Sequence, residues 1–322
     1  MNGNGYLKNG AILAIMVSFS LSKFNESGMV TMQYVVLGAG GYIGSYLFER
    51  FKHDGFSVLG TSRREPCSDG VIVCDILKDG IDNLVSEITD DDRTAIICIA
   101  ECNINYCYEN YSDAYRINVM QTKKLIHELS LEGFRVIFFS SDQVFDGRSG
   151  NYTEESERQP INKYGMMKSE MEAYLLANEM EACILRLPKV VSTLRKKQNI
   201  LSEWEDSTEI GNIRCIKGNR MSFVSIEDIY RACCLVAEKG LRGLYNIAGD
   251  RAYSRAEFAH IFCDKLGVDK VEIIECNVEE FHFKEKRPLD LSMSNAKFKI
   301  QTGYIFESME SVIDRYITNL KN

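Results

Sequence analysis

The chain has 322 residues, of which 45% are apolar and 26% charged, the composition of an ordinary globular protein with ample length for a buried core. Its net charge of −8 argues against a general nucleic-acid-binding surface, although a local basic pocket for phosphates is compatible with it. The eleven cysteines are scattered, and their spacing with the four histidines matches no zinc site, which predicts reduced thiols in the cytoplasm and no bound metal.

The first 31 residues differ from the rest of the sequence. Ala11–Leu21 is apolar but too short to span a bilayer easily, and Lys8 before it is compatible with a signal peptide. The alternative is a non-native leader or an early start codon, since a strand-like run begins at Met32 and both Met29 and Met32 could initiate translation. We favour the alternative and expect no membrane association.

From Tyr34 onwards, short apolar runs alternate with helix-length amphipathic stretches. Runs rich in Val and Ile predict strands buried on both faces of a parallel sheet, at Tyr34–Leu37, Ser57–Thr61, Gly70–Cys74, Ala95–Ala100, Arg135–Ser140 and Ala182–Leu187. Helices are predicted between them, at Gly41–Asp54, Gly80–Ile88, Ala114–Glu132 and Tyr164–Met180. This alternation predicts an α/β fold with a doubly wound parallel sheet of the Rossmann type.

After Leu187 this rhythm changes. A polar stretch at Leu194–Asn219 comes first, and the later predicted elements are helices at Ile226–Lys239, Arg255–Leu266 and Glu307–Leu320 and a strand at Gly243–Ile247. Because no repeat or proline-rich linker separates the two parts, we expect a smaller second domain that interleaves with the first. The predicted division is 1–31 as leader, 32–190 with 222–250 as the larger domain, and 191–221 with 251–322 as the smaller domain.

A glycine-rich loop follows the first predicted strand and opens the first predicted helix. Gly38 would permit a tight turn, Gly41 close approach of a pyrophosphate, and Gly44 close packing of the helix. The anion would then rest on the helix N-terminus. Because the loop stands between a strand and a helix, it predicts a dinucleotide site in which Tyr42 and Ile43 also contact the cofactor; the alternative is a purely structural turn.

The residues after the second predicted strand indicate which dinucleotide is bound. A site for NAD would place an acidic residue there to hold the ribose 2′-hydroxyl, whereas this chain has Ser62, Arg63 and Arg64. These groups are suited to a 2′-phosphate and predict NADP(H) as cofactor, with a solvated basic loop as the alternative. Asp75 is placed to contact the adenine, and Ala100, at the end of the fourth predicted strand, is also expected at the cofactor.

A tyrosine and a lysine lie four residues apart in the helix predicted after the fifth strand. Tyr164 and Lys168 therefore share one helix face. A free tyrosine has a pKa of about 10, and the nearby ammonium is expected to lower that pKa toward the working range of a general acid. Ser141 follows the fifth strand, at the sheet edge where such folds bind ligands, and could hydrogen-bond a carbonyl group that receives hydride.

At this point the chain resembles the extended short-chain dehydrogenase/reductases, and within them the dTDP-4-dehydrorhamnose reductase-like branch. The matching segments, between Met32 and the C-terminus, are GAGGYIG (Gly38–Gly44), YRINV with Asn118, SSDQVFDG, PINKYGMMK (Pro160–Lys168), ILRLP (Ile184–Pro188) and RPLDLSMSNAK (Arg287–Lys297). The resemblance implies that Tyr164 is the general acid and that Lys168 holds the nicotinamide ribose and tunes Tyr164. It also implies that Ser141 polarises the keto oxygen and that Asn118 supports a proton-relay water.

The chain departs from this branch at two positions that are expected, like Ser141 and Asp142, to contact the sugar. Rhamnose-forming reductases usually carry tyrosine where Gln143 stands and an aromatic residue where Lys189 stands. The amide of Gln143 also argues against a sugar dehydratase, because those relatives need a glutamate there as a base. Arg220 and Arg287 resemble the positions from which related enzymes bind a nucleotide-sugar diphosphate, with surface or ion-pair roles as the alternative.

The leading prediction is NADPH-dependent reduction of a 4-keto group on a nucleotide-linked sugar, with the proton supplied by Tyr164. The departures at Gln143 and Lys189 leave open a non-catalytic NADP-binding regulatory subunit that resembles the β subunit of methionine adenosyltransferase. A third hypothesis is a nucleotide-sugar 4-epimerase, against which Arg63 and Arg64 argue, since epimerases usually hold NAD tightly. The expected partners are the nucleotide-sugar and a second copy of the chain in a homodimer. No nucleic acid and no membrane is expected.

Overall fold

The computed structural model describes residues 32–64, 68–75, 79–88, 92–178, 181–195 and 199–321. The interpretation of residues 1–31 as a leader lies outside these ranges, as does the predicted end of a helix at Met180. Across the described ranges, no helix is both long enough and apolar enough to cross a bilayer.

The strands account for two sheets and one strand pair. In the described residues they are β1 (Gln33–Leu37), β2 (Ser57–Ser62), β3 (Val71–Val73), β4 (Arg93–Ile97), β5 (Arg135–Ser141), β6 (Ala182–Leu187), β7 (Lys189–Val191), β8 (Asn212–Ile216), β9 (Arg220–Ser225), β10 (Gly243–Asn246), β11 (Ala252–Ser254), β12 (Glu272–Cys276) and β13 (Asp290–Leu291). Seven of them form a parallel sheet in the order β10-β6-β5-β4-β1-β2-β3. The prediction of a doubly wound parallel sheet is therefore confirmed.

The helices connect these strands. They are α1 (Tyr42–His53), α2 (Asp82–Val85), α3 (Ile104–Glu109), α4 (Tyr111–Tyr115), α5 (Thr122–Leu131), α6 (Lys163–Ala177), α7 (Ile200–Ile210), α8 (Ile226–Lys239), α9 (Arg255–Leu266), α10 (Ala296–Thr302) and α11 (Met309–Leu320). A π-helical segment, Arg116–Gln121, joins α4 to α5, and short 3₁₀ turns occur at Asp142–Val144 and Val278–Phe281.

Both faces of the parallel sheet are buried, as continuous apolar strands predict. Tyr34 and Val36 of β1 pack in one core with side chains of α1 and α8. Val35 and Leu37 point to the opposite face and pack with side chains of α5 and α6. Since β1 lies between β2 and β4, the strand order reverses at β1, and the crevice outside the carboxyl ends of β1 and β4 is where such sheets bind ligands.

A third core lies under the remaining elements. Side chains of α7, α9 and α11 pack with those of β8, β9 and β11, around aromatic residues such as Trp204 and Phe258. In the second sheet, β9 pairs with β7, β11 and β13, while β8 pairs with β12. β10 lies in the parallel sheet beside β6. The division into a larger and a smaller domain stays a prediction.

Several elements differ from those expected. Residues 194–219 were predicted only as a polar stretch, but they contain α7 and β8. The helix α7 is amphipathic, and its apolar side chains Ile200, Leu201 and Trp204 are buried. β4 ends at Ile97, three residues earlier than predicted. The loop that follows is held by a hydrogen bond from its backbone to the side chain of Asn118. The helix predicted over 80–88 is confined to α2.

Candidate active site

The glycine-rich turn lies at the carboxyl end of β1. Gly38 has a φ of +96°, which side-chain-bearing residues rarely adopt, and its amide donates to the Thr61 carbonyl of β2 at 3.1 Å. A Cβ on Gly44 would lie 2.2 Å from the Gly38 carbonyl oxygen, so only glycine lets α1 pack on this turn. Gly41 is the N-cap of α1 and provides no capping side chain. The backbone at this helix N-terminus can thus be approached closely by an anion.

The other predicted cofactor residues lie along the same edge of the sheet. Ser62 ends β2, and its Oγ accepts a hydrogen bond from the Arg64 amide at 3.2 Å. The side chains of Arg63 and Arg64 are exposed, and neither forms an ion pair with a residue in the described ranges. The backbone amide of Asp75 donates to the carboxylate of Asp79 at 2.7 Å.

Three further cofactor candidates are half-buried. Tyr42 and Ile43 occupy the first two positions of α1, and burial raises the pKa of the Tyr42 phenol. Ala100 lies in the loop after β4, close to the carboxyl end of that strand. The glycine turn, the basic loop and these residues therefore all follow the carboxyl ends of strands in the parallel sheet.

Asn118 is buried in the π-helical segment and holds the loop that follows β4. Its Nδ2 donates to the Glu101 carbonyl, and its Oδ1 accepts from the Glu101 amide, both at 2.8 Å. Both polar atoms of the Asn118 side chain are therefore hydrogen-bonded to the backbone of Glu101. π-Helical segments occur frequently at functional sites.

Tyr164 and Lys168 lie on the buried face of α6, as the spacing predicts. Only 8% of Tyr164 is exposed, and its hydroxyl lies 3.7 Å from the Cys102 sulfur. The Lys168 ammonium donates to the Phe139 carbonyl of β5 at 2.8 Å and lies 5.8 Å from the centre of the Tyr164 ring. The lysine is thus fixed between the sheet and the tyrosine.

The electrostatics of this pair differ from the expectation. Burial raises the pKa of the Tyr164 phenol well above its ordinary value, and Cys102 and Asp142 add to the rise while Ser141 opposes it. Burial also lowers the pKa of the Lys168 ammonium. We expected Lys168 to lower the tyrosine pKa, but desolvation of the phenolate dominates, because both groups are enclosed. Tyr164 is accordingly a protonated donor at neutral pH.

Ser141, Asp142 and Gln143 form a turn at the end of β5. The Ser141 hydroxyl donates to Asp142 Oδ1 at 3.1 Å, and the Gln143 amide nitrogen Nε2 donates to the same oxygen at 3.2 Å. Gln143 Oε1 accepts from Asn162 Nδ2 at 2.9 Å. Burial raises the pKa of the Asp142 carboxyl to about 6. Both polar ends of the Gln143 side chain are therefore bonded within the protein.

The remaining predicted substrate residues lie in three separate segments of the chain. Lys189 is the first residue of β7, where burial lowers its pKa. Arg220, on β9, is exposed and lies 4.0 Å from the Asp290 carboxylate. Arg287 donates to Asn105 Oδ1 at 2.7 Å, and its guanidinium stacks 4.5 Å from the centre of the Phe283 ring. Its Nη1 is buried without a hydrogen-bond partner in the described structure.

Some residues at the site were not predicted. Asn162 caps α6, and Cys102 contacts the Tyr164 hydroxyl. Glu172 lies one turn after Lys168 on the same face of α6, and Arg186 on β6 is its partner. An arginine inside the apolar strand ILRLP, and an acidic residue four positions after Lys168, were the available signals for this pair. No group of residues suited to hold a metal ion occurs among the described side chains.

Comparison with known proteins gives both a family and a fold. The sequence profile of the RmlD substrate binding domain family matches residues 32–322. The chain is 24% identical over 257 residues to methionine adenosyltransferase 2 subunit beta of Rattus norvegicus, a match that covers 76% of this chain and 75% of the relative. It is 23% identical over 253 residues to the probable low-salt glycan biosynthesis reductase Agl14 of Haloferax volcanii, with 77% and 84% covered.

Solved structures of similar fold include two dTDP-4-dehydrorhamnose reductases. That of Clostridium acetobutylicum has a TM-score of 0.79 and 23% identity, covering 90% of this chain and 100% of the other. That of Bacillus anthracis, in complex with NADP, has a TM-score of 0.79 and 20% identity, covering 90% and 99%. At these identities the structural likeness supports the fold alone.

Proposed function

Because the chain belongs to the RmlD substrate binding domain family, we propose that it is an NADP(H)-dependent oxidoreductase that reduces a 4-keto group on a nucleotide-linked sugar. The observation that carries this proposal is the arrangement on α6 and at the end of β5. A buried, protonated Tyr164 lies beside a fixed Lys168, and the Ser141 turn adjoins them.

The cofactor part rests on the turn after β1 and the loop after β2. The glycines allow close approach to the N-terminus of α1, and the exposed Arg63 and Arg64 provide the positive charge that a ribose 2′-phosphate requires. NADPH bound there would supply the hydride. The related reductase of Bacillus anthracis was solved with NADP, which agrees with this assignment.

The chemistry assigned to the chain's own residues is positioning and proton transfer. In our proposal Tyr164 donates its hydroxyl proton to the oxygen that becomes a secondary alcohol, and its raised pKa keeps it protonated until that moment. Lys168 supports the tyrosine from the sheet side, where its ammonium is anchored on the Phe139 carbonyl. The Ser141 hydroxyl, which is hydrogen-bonded to Tyr164, would contact the same substrate oxygen.

The substrate part rests on the family and on the two predicted arginines. An exposed Arg220 and an Arg287 whose Nη1 has no hydrogen-bond partner among the described residues can each contribute a forked donor to a diphosphate. A panel of nucleotide-linked 4-keto sugars, with the same sugars lacking the nucleotide as controls, should be screened by NADPH absorbance. Oxidation of NADPH with the nucleotide-linked forms supports the proposal, and oxidation only with free sugars or with none of the panel contradicts it.

A second candidate is a non-catalytic NADP-binding subunit. It is favoured by the similarity to methionine adenosyltransferase 2 subunit beta and by the departures at Gln143 and Lys189. NADPH oxidation distinguishes the two candidates. A non-catalytic subunit would bind NADPH but would not oxidise it with any keto-sugar, whereas a reductase would.

A further inference from the structure

A continuous chain of hydrogen bonds runs from the N-cap of α6 to the end of β5. It begins at Asn162, which is fully buried and whose Oδ1 accepts from the Gly165 amide at 2.8 Å. The same side chain donates through Nδ2 to Gln143 Oε1 at 2.9 Å. Gln143 Nε2 then donates to Asp142 Oδ1 at 3.2 Å, and the Ser141 hydroxyl donates to that oxygen at 3.1 Å.

The backbone reinforces this chain. The Gln143 carbonyl oxygen is so close to α6 that a Cβ on Gly165 would lie 2.0 Å from it. Gly165 follows Tyr164 directly, so the turn and the first turn of α6 are in contact at the tyrosine. The backbone N–H of Gln143 also donates to Ser141 Oγ at 3.3 Å. The side chain and the backbone of Gln143 therefore both contribute to the contact between the Ser141 turn and the start of α6.

We propose that Gln143 is a positioning residue whose side-chain amide links Asn162 to Asp142, and not a ligand of the sugar. This link holds the Ser141 turn in register with the start of α6, and therefore with Tyr164. It rests on the proposed function for the roles of Ser141 and Tyr164, but the link itself involves only groups of this chain.

The chemistry of the amide explains why glutamine suits this position. A primary amide carries an acceptor oxygen and a donor nitrogen on the same carbon, so it can accept from Asn162 and donate to Asp142 at once. A tyrosine, which rhamnose-forming reductases usually carry there, has one hydroxyl oxygen in place of these two polar atoms, so its donor and its acceptor are not on separate atoms. A glutamate would place a second carboxylate next to Asp142. Only 5% of Asp142 is exposed, so repulsion between the two negative charges would be poorly screened.

The first test needs no substrate. Carboxyl carbons of aspartate labelled with ¹³C are titrated by NMR in the wild type, Gln143→Met and Gln143→Glu, with the Asp142 signal assigned through Asp142→Asn. We expect the Asp142 midpoint, about pH 6 in the wild type, to rise in Gln143→Met because a donor is lost, and to rise further in Gln143→Glu. Gln301→Met, an exposed position on α10, is the control and should leave the midpoint unchanged.

The second test separates positioning from sugar binding. With a keto-sugar that the wild type reduces, Gln143→Met should lower kcat roughly ten-fold or more, as loss of a charge-assisted hydrogen bond suggests, and change KM less than about two-fold. An unchanged Asp142 midpoint in Gln143→Met overturns the proposal, and so does a raised KM with normal kcat. If no keto-sugar is reduced, the titration still decides the question, so failure of the proposed function and failure of this inference are distinguishable.

Discussion

Arg186 and Glu172 form a two-point ion pair in the core beneath the site. The Arg186 Nε donates to Oε1 at 2.9 Å and Nη2 to Oε2 at 2.8 Å, and at most 1% of either residue is exposed. The Ser140 hydroxyl of β5 also donates to Oε1 at 2.5 Å. Since Glu172 belongs to α6 and Arg186 to β6, the pair fixes the helix that carries Tyr164 against the sheet.

Removal of one member of this pair should be strongly destabilising. Arg186→Met leaves the buried Glu172 carboxylate with a single weaker ion-pair partner, Arg158 at 3.5 Å, and a loss of about 3 kcal/mol in the free energy of unfolding is expected. Urea denaturation measures it. The double variant Glu172→Leu with Arg186→Met removes both charges and should recover much of the loss. A loss below about 1 kcal/mol in the single variant would show that the pair contributes little.

The fold and the shared helix face of Tyr164 and Lys168 on α6 could be predicted because they depend on local periodicity. Apolar runs set the strands, and the four-residue spacing places Tyr164 and Lys168 together. The direction of the Tyr164 pKa could not be predicted, because it depends on how completely the phenol is enclosed and on Cys102, which lies 62 residues earlier in the chain.

The link made by Gln143 was also beyond prediction from the sequence. Its partner Asn162 is 19 residues away, and the two meet only because β5 and α6 pack against each other. α7 was missed for a different reason, since its charged face gives the segment a polar composition although Trp204 and its neighbours are buried. Long-range packing decides both features.

The loop after β2 should determine the choice of cofactor. Arg63→Ala or Arg64→Ala should each weaken NADPH binding about ten-fold or more, because a charge-assisted hydrogen bond to the 2′-phosphate is lost, and should leave NADH binding unchanged. Fluorescence titration of both cofactors measures this. Arg242→Ala is a matched control, since Arg242 immediately precedes β10 and lies at the opposite edge of the parallel sheet. Equal affinity of the wild type for NADPH and NADH would contradict the assignment.

The two candidate diphosphate ligands should respond differently to substitution. Arg220→Ala, at an exposed position, is expected to raise KM for the nucleotide-sugar about ten-fold without a change in Tm. Arg287→Ala should raise KM similarly and also lower Tm, because it removes the bond to Asn105 and the stacking on Phe283. Unchanged KM values, with only the Tm of Arg287→Ala reduced, would mean that the arginines have structural roles alone.

Asp142 should make stability depend on pH. Its pKa in the folded protein is about 6, above the ordinary value of 3.8, so the folded state keeps a proton that the unfolded state loses. The stabilisation from that proton is complete below about pH 4 and is lost as pH rises through 6. Relative to the wild type, Asp142→Asn should therefore gain about 3 kcal/mol between pH 3 and pH 7. A difference in unfolding free energy that stays constant across this range would refute the prediction.

The most direct test of the account is the rate of NADPH oxidation by Tyr164→Phe with a nucleotide-linked 4-keto sugar. The change removes the proton donor and keeps the ring, so turnover should fall about 10²–10⁴-fold while NADPH affinity is retained. Tyr174→Phe, on the same helix, is the matched control and should retain normal turnover. Near-normal turnover in Tyr164→Phe, or no turnover in the wild type despite NADPH binding, would contradict the proposed role of this site.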